Sequence, residues 1–434
     1  MVSVRNGNES ERSRKLLLGI GFWVQGLRCF PWMGVNFFLK DGMRVDPSTL
    51  QILQNSANLP MVAKPFYGIL SDSFYIFGQH RVPYIALGAF LQAVSWVTIA
   101  LFAKSGISFL LITFYLLLGN LGASIVEVAN DAIVAETGKQ LALSKNWKPS
   151  SSGELQSFVW MASSVGGVMG NLISGIAIDK FSTQLMFLMY GILLSLQFLI
   201  TLFIRESSLD LPKSPSQVGF RKQLSELLVA LQKPMIYYSI IWFAMSYAVI
   251  PALTGTLLHL KIESSLLGIS KVFGQAAMLF WGVVYNRHLK SIPPRKLIAA
   301  VQISMAIFII SDVLFVNGVY RSMGIPDSLY VVVFSGFLEV LYFFKILPFN
   351  VLMAQLCPPG CEGSVMAFVM SAIALAFIVS GYLGVALASY VGVIGDDFSG
   401  LPRGLLIQAV CTLFPLFWSS CIPDVKSKGK KKEN

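Results

Sequence analysis

Arg28, Lys64, Glu127, Asp131, Lys271, Glu339 and Lys345 are ionisable residues that stand inside long apolar stretches of this 434-residue chain. An ionised group in hydrocarbon costs several kcal/mol unless it is paired or hydrated, so these residues are expected to face one another or a cavity. Glu127 and Asp131 are four residues apart and share one helical face. Two neighbouring carboxylates raise each other's proton affinity, which makes one of them a candidate proton carrier. The competing reading is a fixed ion pair with Arg28 or Lys64 that locks a helix bundle. Lys64 also has a possible partner in Asp72. Glu339 and Lys345, six residues apart, do not share a face. Arg28, Lys64 and Lys345 are the cations available to an anionic solute.

The elements that must position these groups are membrane spans. Hydrophobic residues make up 55% of the sequence and charged residues 13%, against about 25% charged in a soluble domain. The apolar residues arrive in blocks of about 18 to 25, the length that crosses about 30 Å of hydrocarbon as helix. Twelve helices are expected, at 16–38, 48–71, 82–103, 107–136, 153–177, 184–204, 234–258, 265–287, 295–317, 328–355, 362–388 and 402–422. The class is all-α integral membrane. The longest loop, 205–233, divides a six-helix half at 1–204 from a second at 234–422, followed by a basic tail at 423–434.

Orientation follows from Lys and Arg. With the N-terminus inside, 22 of the 33 basic residues fall on the inner side and 7 on the outer. That bias predicts that both termini are cytoplasmic. The short polar N-terminus reads neither as a signal peptide nor as a clear transit peptide. The net charge of +11 is accounted for by topology, and no motif supports a nucleic-acid partner. Cys357 and Cys361 are close in sequence, but no third or fourth metal ligand accompanies them, and no metal or cofactor is expected. No nucleophile–base pair or phosphate loop points to an enzyme.

A weak internal repeat links the halves. Gly68 to Asp72 closes span 2 and precedes Arg81, and Gly282 to Asn286 closes span 8 and precedes Arg287 and Arg295. Asn130 and Asn350 lie at matching depths, and Glu154 and Glu362 begin spans 5 and 11. Such matched halves point to a pseudo-twofold transporter. Small residues at Gly166, Gly170 and Ser174, and at Gly384 and Ala388, mark close helix contacts, either sliding or static. Pro31, Pro60, Pro65, Pro251 and Pro348 interrupt spans.

Ala63-Lys64-Pro65-Phe66-Tyr67-Gly68-Ile69-Leu70-Ser71-Asp72, then Gly78 and Arg81-Val82-Pro83-Tyr84-Ile85, resembles the helix 2–3 signature of the folate–biopterin transporter family, within the major facilitator superfamily. Gly153-Glu154-Leu155-Gln156-Ser157, Asn130-Asp131 and Cys357-Pro358 with Gly360, Glu362 and Gly363 are similar to further parts of that pattern. The resemblance runs from about residue 20 to 385, and the short N-terminus resembles the shorter plant members. It implies an alternating-access symporter for folates or pterins, coupled to protons. Glu127 or Asp131 would accept the pterin edge, with Asn130 beside them. Arg28, Lys64 or Lys345 would neutralise the folate tail, and Gly68, Asp72 and Arg81 would form a cytoplasmic gating motif. A carrier of another organic anion or heterocycle, and a non-transporting sensor or scaffold, are the alternatives.

Overall fold

The computed structural model describes residues 2–143, 149–209, 220–253, 264–289, 292–356, 362–393 and 397–422. Each of the twelve expected spans carries helix. Eight described helices are long and apolar enough to cross a membrane on their own, and a ninth span is reached if one sharply bent pair is counted together. Spans 1, 2 and 10 are broken and span 7 is cut short, whereas span 8 is one continuous helix, Ser264–Val284.

Proline explains the breaks. In span 1, Pro31 cannot donate to the Leu27 carbonyl, and the helix parts at Arg28 into Val2–Leu27 and Cys29–Phe37. In span 2, Pro60 opens a 3-10 turn, Leu59–Ala63, between Pro47–Ala57 and Lys64–Ser73. In span 10, Pro348 has no N–H for the Phe344 carbonyl, so Gly336–Phe344 and Ile346–Leu356 meet at Lys345. Span 7 is expected to run to residue 258, but its helix ends at Ala248, ahead of Pro251. The Ala252 N–H instead donates to the Ser380 carbonyl.

Unbroken spans show the burial pattern of a protein dissolved in lipid. Along Thr183–Phe203 the exposed face is apolar, with Leu185, Met189, Ile192, Leu196 and Leu199, whereas Gln197 and Thr201 are buried. That inverts the amphipathic pattern of a soluble helix. Ser182 starts this helix by accepting from the Leu185 N–H at 3.3 Å.

The chain divides into two compact units: Met1–Val45 with Ser56–Leu227, and Asp46–Asn55 with Leu228–Asn434. Residues 46–55 precede the chain-order boundary yet pack in the second unit. There the Gln51 amide donates to the Ala252 carbonyl at 2.8 Å and the Gly381 carbonyl at 3.0 Å.

Within the first unit, Gly166 and Gly26 bring spans 5 and 1 into backbone contact. A Cβ on either would collide with the Trp23 or Ser163 carbonyl, and one on Gly170 would meet Cys29 Sγ at 2.6 Å. Gly166 and Gly170 therefore serve static packing inside one unit, and the sliding role is not theirs. Gly88 and Gly122 join spans 3 and 4 in the same way. In the second unit, Gly384 packs on the Ala252 carbonyl.

Candidate functional site

Span 4, Phe109–Leu143, is the spine of the first unit's charged site. Asn120, Ser124, Glu127 and Asp131 recur at intervals of three or four, so they lie along one face. Glu127 is buried and uses both oxygens: Arg28 Nη1 reaches Oε1 at 2.9 Å and Lys64 Nζ reaches Oε2 at 2.6 Å. Arg28 Nη2 donates to Asn120 Oδ1 at 2.8 Å. Asn120 Nδ2 in turn donates to the Ala57 carbonyl at 2.5 Å and to Asn58 Oδ1 at 3.3 Å. The broken part of span 2 is thereby tied to span 4. The breaks at Arg28 and before Lys64 bring two cations from different spans to one carboxylate.

The structure thus separates the two carboxylates that the spacing had treated alike. Glu127 is the paired one. Asp131, one turn on, is exposed and has no hydrogen bond or ion pair among the described residues. Lys64 pairs with Glu127 and not with Asp72. Asn130 points elsewhere: its side chain is fully buried against Gly21, where a Cβ would stand 2.5 Å from Asn130 Nδ2. Neither its amide nitrogen nor its oxygen has a hydrogen-bond partner, and its repeat counterpart Asn350 also buries an unpartnered oxygen.

Lys345 belongs to the second unit and is completely buried. Its ammonium donates to Gln302 Oε1 at 2.8 Å, the Ser246 carbonyl at 3.2 Å and Ser246 Oγ at 3.3 Å. It stands 3.8 Å from the centre of the Tyr247 ring. These partners are all neutral. Gln302 is fixed by donating to the Thr412 carbonyl at 2.7 Å. The side chain of Glu339 and residues 357–361, including both neighbouring cysteines, lie outside the described residues, as does the tail from 423.

The gating motif forms a second cluster in the first unit. Residues 76–79 make a two-residue hairpin, with paired bonds between Ile76 and Gln79 of 2.9 and 3.0 Å and positive φ at Phe77 (52°) and Gly78 (75°). This turn presents His80 and Arg81 to three carboxylates. Arg81 pairs with Asp72, with Glu136 at 2.5 Å, and with Ser71 Oγ at 2.6 Å. His80 Nδ1 lies 2.5 Å from Glu206 Oε1, and its Nε2 lies 3.7 Å from Glu136. Glu206 Oε2 accepts from the N–H groups of His80, Arg81 and Val82 at 2.8 to 3.2 Å, capping the helix Val82–Phe102.

Burial alone favours a neutral His80 ring, but Glu136 and Glu206 override it and raise its pKa to about 9. Glu206 is likewise held below the ordinary carboxylate range, with burial opposing and His80 and the backbone N–H groups prevailing. Gly68 is not crowded here: a Cβ would make ordinary contact with Val128 at 3.5 Å. His80, Glu136 and Glu206 escape sequence reasoning, because the cluster spans up to 126 positions and shares no helical register.

The described residues are nearly all helix, and the fold is that of the major facilitator transporters, on the superposition that follows. The D-xylose-proton symporter structure superposes with a TM-score of 0.69 over 95% of this chain and 98% of its own, at 15% identity. The chain belongs to the BT1 family, whose model matches residues 25–434. It is 63% identical to the probable folate-biopterin transporter 7 of Arabidopsis thaliana, covering 96% of this chain and 95% of that protein. It is also 28% identical to the folate-biopterin transporter of Synechocystis, over 95% and 83% of the two chains.

Proposed function

We propose that this protein carries folates or pterins across a membrane by alternating access, in symport with protons, and that Asp131 takes the proton. The observation that carries this reading is the division of labour on span 4. Glu127 is saturated by Arg28 and Lys64, while Asp131 keeps both oxygens unengaged one turn away. With Asp131 ionised, the four side chains sum to zero charge. With Asp131 protonated they carry one positive charge, which suits an anionic solute. Proton and anion then load together and leave together. The names of the relatives supply the substrate class, and Arg28 is the side chain best placed to neutralise a folate carboxylate.

The Asp72–Arg81–Glu136 cluster acts as the cytoplasmic gate in this scheme. The Lys and Arg bias supports a cytoplasmic side for it and for both termini. The test is uptake of labelled 5-methyltetrahydrofolate and biopterin, at acidic and near-neutral external pH, by cells that lack their own folate carrier and express this protein. Faster uptake in acid that disappears in Asp131→Asn is expected. Equal uptake by wild type and Asp131→Asn at both pH values would remove Asp131 from the mechanism. Absence of uptake by wild type present in the membrane would point to another solute.

A further inference from the structure

The segment Phe220–Leu231 is helical and ends where the span Pro234–Ala248 begins. Its part Leu224–Leu231 and that span are bent by 83°. If Pro234–Ala248 runs along the bilayer normal, the preceding helix lies in the plane of the membrane. The level is also marked: Tyr237 and Tyr238, 50% and 55% exposed, form an edge-on pair in the first turns of the span. Exposed tyrosines at a helix start sit at the headgroup boundary. The helix before them is therefore at that boundary as well.

Its faces fit the position. Leu227 and Ala230 are buried against the protein. Leu224 and Leu228, four residues apart and 37% and 51% exposed, form an apolar edge with nothing over it among the described residues. Arg221 and Lys222 are exposed in the first turn, and Lys233 is exposed just past the end. Glu226 is the acidic residue among them. A continuing span would not carry Arg221, Lys222 and Glu226, which argues against a broken transmembrane helix.

We propose that Phe220–Leu231 is a lipid-binding helix that rests on the bilayer surface, with Leu224 and Leu228 in the acyl boundary and Arg221, Lys222 and Lys233 on anionic headgroups. Apolar burial and basic attraction together are what an interfacial helix needs. The partner is an anionic phospholipid surface. Each basic residue close to such a surface adds about fivefold to binding, so Arg221 and Lys222 together account for about 25-fold.

The test is amide hydrogen exchange of residues 221–231 in the full-length protein. It is measured in nanodiscs of phosphatidylcholine alone and of phosphatidylcholine with phosphatidylserine. Exchange about tenfold or more slower in the anionic discs is expected, with most of the difference lost in R221Q/K222Q. Equal exchange in both lipids would overturn the proposal, since a protein-held or re-entrant helix does not read headgroup charge. A lipid difference undiminished in R221Q/K222Q would overturn it too, since Lys233 alone accounts for only about fivefold. The wild-type comparison stands whether or not the variant folds.

Discussion

Glu127→Gln is the perturbation with the most to lose. Glu127 holds two cations at 2.9 and 2.6 Å, and the side chains of Arg28 and Lys64 are only 17% and 18% exposed. The amide keeps the shape and removes the charge, leaving two partly buried cations facing one neutral group. Removing one partner of a buried pair costs about 3–5 kcal/mol. By the scaling of domains of this size, that is roughly 10 °C in the unfolding midpoint. The assay is thermal unfolding of the purified protein in nanodiscs, with Lys64→Met/Glu127→Gln alongside. In the double variant one cation is gone, and Arg28 retains Asn120 Oδ1 at 2.8 Å. The double variant is expected to recover more than half of the loss. If Glu127→Gln is as stable as wild type, or if the double variant is less stable than the single, the three side chains are not coupled and the site is misread.

Three further outcomes follow from the same geometry. His80, raised to about 9 from 6.5, adds stability fully below about pH 6.5 and loses it as pH rises through about 9, at most ~3 kcal/mol; unfolding scans should show His80→Gln flattening this alkaline slope. Gly78→Ala, at φ +75° with nothing within 4 Å, should cost about 1–2 kcal/mol from backbone conformation alone, whereas Gly68→Ala, inside the helix Lys64–Ser73 and in ordinary contact, should stabilise by up to about 1 kcal/mol. Lys345→Met leaves Gln302 Oε1 without its donor, a cost of about 1–3 kcal/mol set against relief from burying an ammonium. Unfolding should therefore show a net loss of about 1 kcal/mol.

Span positions were legible because apolar block length is a direct consequence of bilayer thickness, and the breaks were legible wherever proline stood. Pairing was not. The expected alternative of Lys64 with Asp72 fails on helical geometry: eight residues along a helix separate the two by about 12 Å. Glu127, on a different span, is the group within reach. The hairpin at Gly78 lay inside the quoted signature, but its job of delivering His80 and Arg81 to Glu206 and Glu136 depends on segments far apart in sequence. Glu206 carries no local signal, being one acid after span 6 whose partners are His80 and three backbone N–H groups.

The two units use the same local device for different ends. Arg28 precedes Pro31 by three residues and Lys345 precedes Pro348 by three, so in each case the missing N–H opens the helix at the basic residue. In the first unit the opened turn aims Arg28 at Glu127, beside a second cation and an unpaired Asp131. In the second it folds Lys345 inward onto Gln302, Ser246 and the Tyr247 ring, with no surface left to a solute. A cation sealed by neutral acceptors can brace a broken helix but cannot change charge balance when a ligand arrives. Preference for anionic over neutral heterocycles should therefore follow substitutions at Arg28, Lys64 and Asp131. Competition of uptake by a charged and an uncharged pterin in Arg28→Gln and Lys345→Met would show it. A shift in preference confined to Lys345→Met would reverse the assignment.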